Sequence, residues 1–176
     1  GLMGGDSSKA KTLASQMQKI SRADGFLALG LIAQMEKNTA EAESNYKKAI
    51  TASPDSSKYH VSLAQFYQSQ QEFAKAIDVM ENAIAKLPAE RSLLLQAGRF
   101  AALGGNDFSE KGKKHLNSYI ANTPDKKDRT LADAYYFLGL IEKNEGNSTQ
   151  AKRHFNSALS LNPDHTRSKN ALKDLN

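Results

Sequence analysis

The sequence of 176 residues has no cysteine and no tryptophan, and it contains only four prolines. Without cysteine the chain can form neither a disulfide framework nor a zinc–thiolate site, and it has no cysteine nucleophile. No apolar run approaches the roughly 20 residues that a membrane-spanning helix requires, since the longest, residues 26–33, is interrupted by Gly30. Scarce proline combined with abundant alanine, leucine, lysine and glutamine favours a helical protein.

The charge of the chain is moderate. Charged residues make up 24% and hydrophobic residues 39%, which is typical of a folded chain and not of a disordered one. The net charge of +5 could attract an acidic partner. The basic clusters at 111–114 and 126–129 have no interleaved aromatic residues that could stack on bases, so we interpret them as solvated faces and do not expect nucleic-acid binding.

The prolines recur at a nearly regular spacing. Pro88 follows Pro54 after 34 residues, and Pro124 and Pro163 follow after a further 36 and 39. Each interval carries the pattern of two helices, with a large residue, a Leu-Gly pair or its equivalent, an alanine, an aromatic and a second alanine before the proline. In the first copy these residues are Phe26, Leu29, Gly30, Ala42, Tyr46 and Ala49. In the last copy they are Tyr135, Leu138, Gly139, Ala151, Phe155 and Ala158.

This pattern resembles the tetratricopeptide repeat over roughly residues 23–163. The resemblance implies an all-α fold, a right-handed α-solenoid of about four helix hairpins with capping helices at its N- and C-terminal ends. The third copy is irregular, because two extra residues fall in a turn around Gly104 and Gly105 that calls for a positive φ. The predicted segments are a flexible leader at 1–8, a half-repeat helix at 9–22, four repeats at 23–56, 57–90, 91–131 and 132–163, and a capping helix at 164–176. Residues 9–176 are predicted to form a single domain.

The resemblance also implies a function, that of a scaffold that binds a protein or peptide in a concave groove lined by the first helix of each repeat. The groove residues that the family pattern implies are Leu27, Leu31, Gln34, Lys58, Val61, Ser62, Gln65, Ser69, Leu95, Gln96, Arg99, Ala102, Tyr136, Phe137, Leu140 and Asn144. Such a surface suits an extended or helical peptide. Alternatively, the N-terminal helix covers Leu27 and Leu31, and the last helix or a second copy of the chain covers Tyr136, Phe137 and Leu140.

One ligand class of the family is not expected here. Chaperone-binding members hold a C-terminal carboxylate with basic residues and asparagine. The matching positions of this sequence hold Leu27, Leu31, Ser62, Ser92 and Gln96, so the clamp is missing.

Catalysis and metal binding are not expected from the sequence. The four histidines, at positions 60, 115, 154 and 165, lack the ligand partners at regular spacing that a metal site needs. Ser44 and Lys47 match the Ser-x-x-Lys motif of penicillin-binding enzymes, but the other motifs of that class are absent. We therefore predict neither an enzyme nor a cofactor.

The first eight residues look like the tether that follows the lipid-bearing cysteine of bacterial envelope lipoproteins; an ordinary chain terminus is the alternative. The lipoprotein resemblance implies a scaffold for a pilus, secretion or cell-wall complex, located in the periplasm or anchored to the outer membrane through a removed lipid anchor. A cytoplasmic location remains open. Other hypotheses are a structural oligomerisation module and a regulatory domain of a larger protein, and the sequence permits a monomer or a homodimer.

Overall fold

The computed structural model describes residues 4–175, with side chains from Ser7 onward. Within this range the chain forms ten α-helices, one short 3₁₀ turn at Asn106–Phe108 and no β-strand, which confirms the all-α prediction. The helices are α1 (Gly4–Ile20), α2 (Arg22–Met35), α3 (Thr39–Ala52), α4 (Ser57–Ser69), α5 (Phe73–Lys86), α6 (Ser92–Gly104), α7 (Ser109–Ala121), α8 (Leu131–Asn144), α9 (Ser148–Leu161) and α10 (Thr166–Lys173). Among these helices, none has the length and apolar character needed to cross a bilayer.

The described chain divides into two compact units, the first ending at Gln70 and the second beginning at Gln71. The first unit contains α1 to α4, and the second contains α5 to α10. The predicted repeat at 57–90 is therefore divided between the units, with α4 in the first and α5 in the second. In each of the other three predicted repeats, both helices belong to one unit.

The N-terminal helix is longer than the sequence predicted. Helix α1 begins at Gly4, so residues 4–8 of the predicted leader are helical. Its first turns are tied to the end of α2, because Ser7 Oγ donates a hydrogen bond to one carboxylate oxygen of Glu36 and Lys11 Nζ lies 2.7 Å from the other. Residues 1–3 of the predicted leader lie outside the described residues.

In the first unit, α2 and α3 pack through small residues. Ala33, Ala42 and Ala49 are fully buried, and a Cβ atom at Gly30 would lie 3.3 Å from the ring of Tyr46. Spacings of three, four and seven place such residues on one helical face, where they let the backbones approach. The small residues and the aromatic of the repeat pattern therefore mark the surface along which α2 meets α3.

The turn between α2 and α3 places a lysine in the left-handed backbone region. Lys37 has φ of 61°, and its N–H donates to the Gln34 carbonyl at 3.0 Å while the Asn38 N–H donates to the Ala33 carbonyl at 2.8 Å. These bonds satisfy carbonyls at the end of α2. The turn between α8 and α9 has glycine at the corresponding place, where Gly146 has φ of 82°.

In the second unit, glycines lie where the helices approach each other most closely. A Cβ atom at Gly98 would lie 2.4 Å from Leu116, and one at Gly139 would lie 2.5 Å from Phe155. Both large side chains are fully buried. The extra residues of the irregular third copy form the short turn before α7, and Gly105 within it has the predicted positive φ, 98°.

The last helix, α10, packs against α9 through Ala171 and leaves its other side polar. Its first turn is capped by His165, whose Nδ1 accepts a hydrogen bond from the Ser168 N–H at 3.3 Å. The other ring nitrogen, Nε2, lies 3.1 Å from Asp133 Oδ1 on α8. The cap therefore also connects α10 with α8.

Candidate binding sites

The first unit contains an open groove between α2 and α4, with a volume of about 360 Å³. We call it the α2–α4 groove. It is lined by Leu27, Leu31, Gln34, Tyr46, Ser62, Gln65 and Phe66. Five of these residues were predicted from the sequence, and the structure brings them together. The two aromatic residues were not predicted as part of the site.

The floor of the groove is aromatic and held by hydrogen bonds. Tyr46 and Phe66 are each 2% exposed, with ring centroids 5.2 Å apart. The Tyr46 hydroxyl donates to Gln34 Oε1 at 2.7 Å, and Gln34 Nε2 donates to Ser69 Oγ at 3.2 Å. Burial raises the pKa of Tyr46, so its phenol remains a neutral donor at physiological pH. This chain of hydrogen bonds joins α3, α2 and α4.

The rim of the groove offers both apolar and polar groups. Leu31 is 49% exposed, so helix α1 does not cover it. Leu27 is half-buried and packs against the cluster around Ala23 and Tyr59. Gln65 presents an exposed carboxamide. An incoming peptide would therefore meet an apolar side chain next to an amide that can bind its backbone.

Three predicted residues of α4 do not line this groove, and one of them, Ser69, takes part only through its hydrogen bond from Gln34. Val61 is half-buried and does not line the groove. Lys58 Nζ lies 2.6 Å from Asp24 Oδ1, which also accepts a hydrogen bond from the Tyr59 hydroxyl at 2.9 Å. Hydrogen bonds from Lys58, Ser21 and Tyr59 lower the pKa of Asp24 to about 2. The Lys58 ammonium is thus committed to an ion pair within the unit.

The predicted groove residues of α8 are largely covered in the second unit. Phe137 is only 3% exposed, because its ring joins the core with Leu131 and Ile141, so its prediction as a groove surface residue is wrong. Tyr136 is half-buried. The Arg167 guanidinium on α10 lies 4.8 Å from the Tyr136 ring centroid and 5.4 Å from that of Phe137. The alternative that the last helix covers these two side chains therefore fits the structure.

The remaining predicted residues of α8 and α6 differ in exposure. Leu95 and Leu140 are half-buried and pack against the core of the second unit. Ala102 is 1% exposed and belongs to that core, so it is not a groove surface residue. Asn144 is exposed at the end of α8 and accepts a hydrogen bond at its carbonyl from Asn106 at 3.3 Å.

Helix α6 carries polar atoms that are buried without a partner. Nε and Nη2 of Arg99 and Oε1 of Gln96 are enclosed, and among the described residues none forms a hydrogen bond with them. The Arg99 guanidinium carbon lies 4.4 Å from the ring centroid of Phe100. Burial, and secondarily the positive charge of Arg167, lowers the pKa of Arg99. The sequence predicted Gln96 and Arg99 as groove residues but did not indicate that these polar atoms would lack hydrogen-bond partners.

A serine, a histidine and an aspartate lie in contact at the start of α10, but their burial does not suit catalysis. Ser168 Oγ lies 2.7 Å from His165 Nδ1, and His165 Nε2 lies 3.1 Å from Asp133. Ser168 is 0% exposed, so its hydroxyl cannot reach a substrate. We therefore interpret the set as a helix cap. The described residues contain no group of three acidic, histidine or cysteine side chains placed to hold a metal ion.

The basic clusters are engaged in local contacts. Lys113 Nζ lies 2.6 Å from Glu145 and 3.0 Å from Glu142, and Lys111 Nζ lies 2.8 Å from Glu81. In the second cluster, Lys126 Nζ donates to three backbone carbonyls at and beyond the end of α7, where a cation is favourable. These contacts give several of the lysines a structural role.

Comparison with known proteins identifies related sequences and folds. Residues 33–98 match the sequence model of a family described as tetratricopeptide repeat, and residues 132–165 match a second model of the same description. No curated protein sequence is significantly similar to the chain.

Several solved structures share the fold. The structure of YrrB, described as a TPR protein with an unusual peptide-binding site, is 18% identical with a TM-score of 0.69, and the match covers 96% of this chain and 84% of that one. Pseudomonas aeruginosa pilF is 24% identical with a TM-score of 0.66, covering 87% and 67%. PilW, described as a type IV pilus biogenesis factor, is 18% identical with a TM-score of 0.64, covering 91% and 72%. At these identities the likeness shows the fold alone, which is that of an all-α solenoid.

Proposed function

We propose, from the premise that this chain belongs to the tetratricopeptide repeat family, that it binds a peptide segment of a partner protein in the α2–α4 groove. The family fold supports a protein–protein interaction scaffold. The observation that carries the finer proposal is the open groove, in which an exposed leucine and an exposed amide stand above a rigid aromatic floor. We propose binding, and not catalysis, as the activity of this chain.

The chemistry of the groove suits an apolar side chain carried on a peptide backbone. Full burial of a leucine contributes about 1.5–3 kcal/mol, so covering the exposed half of Leu31 contributes about 1 kcal/mol. The Gln65 carboxamide can donate to a peptide carbonyl and accept from a peptide N–H. Because hydrogen bonds hold Tyr46 and Gln34 in place, little of this energy is lost in ordering the floor.

The test uses a random peptide library selected on the immobilised full chain. We expect Leu31→Glu to reduce recovery of the selected peptides at least about tenfold, because it places a charge where an apolar side chain would be buried. Ile20→Glu is the matched control, since Ile20 is an exposed apolar residue of α1 that does not line the groove. Equal recovery by wild type and Leu31→Glu would refute binding in the groove.

We further propose that the scaffold takes part in assembling a bacterial envelope complex such as a pilus or secretion system, in the periplasm or anchored to the outer membrane. Support comes from the shared fold with pilF and with the pilus biogenesis factor PilW. Fractionation of cells expressing the natural gene tests the location. Recovery in the cytoplasmic fraction would contradict this proposal.

A structural oligomerisation module is the second candidate function, and one observation favours it. Leu13, Met17 and Ile20 form an exposed apolar stripe on α1, with 52%, 44% and 92% of their surfaces accessible. Contiguous apolar surface of this kind often marks an interface. Light scattering on the wild type and on Ile20→Glu distinguishes the candidates, because a wild type that is monomeric at high concentration excludes self-assembly through α1.

A further inference from the structure

We propose that helix α6 of the second unit binds an acidic side chain of a partner peptide, with Arg99 contacting the carboxylate and Gln96 accepting a neighbouring backbone N–H. This inference rests on the proposed peptide-binding function and specifies the chemistry of the partner. It concerns a position in the second unit and is independent of the residues that line the α2–α4 groove.

One edge of the Arg99 guanidinium forms no hydrogen bond with the described residues. Nε and Nη2 lie on the same side of this planar group and together form the fork that binds a carboxylate through two parallel hydrogen bonds. Both atoms are enclosed and have no partner among the described residues. A buried donor without a partner is unfavourable, so a ligand that supplies the missing acceptors removes this cost when it binds.

Among the described residues, no carboxylate forms an ion pair with Arg99. Asp133 forms an ion pair with Arg167 and contacts His165 Nε2 at 3.1 Å, so it is already engaged. Arg167 is close enough for its charge to disfavour the charged form of Arg99. Because Asp133 is paired with Arg167 and does not pair with Arg99, the charge of Arg99 leaves a positive field, which favours an acidic ligand.

Gln96 precedes Arg99 by three residues and therefore shares its helical face. Its buried Oε1 is an acceptor without a donor among the described residues. An inorganic anion would satisfy Arg99 but would bring no N–H to Gln96. A peptide brings a carboxylate and a backbone N–H together, which matches both unsatisfied groups.

Two leucines that flank Arg99 indicate that the ligand is an internal acidic residue and not a chain end. Leu95 and Leu103 lie four residues before and after Arg99, on the same face of α6. Leu103 is 40% exposed and Leu95 is half-buried. A peptide that continues on both sides of its acidic residue would contact both leucines, whereas a C-terminal carboxylate would reach only one.

Access to the site requires a rotation of the arginine. Arg99 as a whole is partly exposed, although Nε and Nη2 are enclosed in the free protein. Its long side chain can turn the free edge outward when the ligand arrives, and the new hydrogen bonds then offset the loss of the contact between the guanidinium and the Phe100 ring. Without ligand, Nε and Nη2 of Arg99 are enclosed and have no hydrogen-bond partner among the described residues; with ligand, they face outward and bind the carboxylate.

The experiment compares three libraries of short peptides on the immobilised full chain. One has a fixed central glutamate, one a fixed central glutamine, and one no internal acid but a free C-terminal carboxylate; the first two are acetylated and amidated. We expect wild type to prefer the central glutamate on the order of tenfold, the size of one charge-assisted hydrogen-bond pair. Preference for the free C-terminus would overturn the internal position.

Variants separate this site from the α2–α4 groove. We expect Arg99→Gln to lose the preference for glutamate, Arg99→Lys to retain part of it because a lysine cannot form the fork, and the exposed control Arg153→Gln to keep it fully. Thermal melting checks that each variant folds. A preference that survives in Arg99→Gln refutes the inference.

Two further outcomes show which of the two proposals has failed. Peptide recovery that depends on Leu31 but shows no preference for glutamate refutes only the α6 site. A glutamate preference that is lost in Arg99→Gln, together with total peptide recovery that Leu31→Glu leaves unchanged, refutes only the groove. Failure to bind any of the three libraries refutes both proposals.

Discussion

The packing of α8 against α9 permits a quantitative prediction for Gly139→Ala. The added methyl carbon would lie between 2.5 and 3.0 Å from three ring atoms of Phe155. Phe155 is fully buried in a cluster with Ala151 and Ala171, so its ring can move only by displacing neighbouring side chains. Overpacking of this kind costs about 1–3 kcal/mol, while replacing a helical glycine by alanine returns about 0.5–1 kcal/mol. We expect the change to destabilise the second unit by about 1–2 kcal/mol.

Gly30→Ala is the matched control, because it makes the same substitution in the equivalent helix of the first unit. Its methyl carbon would lie 3.3 Å from the Tyr46 ring, a contact that a shift of a few tenths of an ångström relieves. The gain in helix propensity then offsets the crowding, and we expect a change in stability within about 0.5 kcal/mol of zero.

Urea unfolding followed by far-ultraviolet circular dichroism measures both variants. A double variant, Gly139→Ala with Phe155→Leu, tests the cause, since the smaller side chain should reduce the cost of the added methyl group. The reasoning is refuted if Gly139→Ala is as stable as wild type, or if its cost is the same with phenylalanine and with leucine at position 155.

Two predictions concern the first unit. Lys37→Gly should raise the free energy of unfolding by about 1 kcal/mol, because glycine adopts φ of 61° without the strain imposed by a side chain; an unchanged urea midpoint would contradict this. Hydrogen bonds from Lys58, Ser21 and Tyr59 lower the pKa of Asp24 to about 2, so its stabilising contribution is present above the unfolded value near 3.8 and is lost as the pH falls through about 2. The difference in thermal midpoint between wild type and Asp24→Asn should therefore narrow on acidification, and a constant difference would show that the ion pair is not responsible.

The helical pairs could be predicted from the sequence because the residues that define them are close in sequence and recur from one repeat to another. Gly30 and Gly139 recur at the same place in two repeats, and so do Tyr46 and Phe155, and the structure packs each glycine against its aromatic. The start of α1 was missed because Gly4 belongs to a helix whose first turns are tied to Glu36, a residue distant in sequence. Helix propensity depends on nearby residues only, so it could not indicate the stabilising contact with Glu36.

The candidate sites were only partly predictable. The family pattern assigns both Leu31 and Phe137 to the groove, yet Leu31 is 49% exposed and Phe137 is 3% exposed, since Arg167 and the core of the second unit cover the latter. The commitment of Lys58 to Asp24 joins residues 34 positions apart. Phe66 lies one helical turn after Ser62, which was predicted, and this spacing is the signal that could have identified it.

The hydrogen bonds from Tyr46 through Gln34 to Ser69 have a consequence for local unfolding. Because they join three helices, the last turn of α4 cannot fray without releasing the carboxamide that holds the tyrosine hydroxyl. The hydrogen-bonded floor is therefore complete only while that turn is folded. A ligand bound above the floor stabilises the folded turn by mass action. Slower amide hydrogen exchange at the end of α4 would thus report occupancy of the α2–α4 groove.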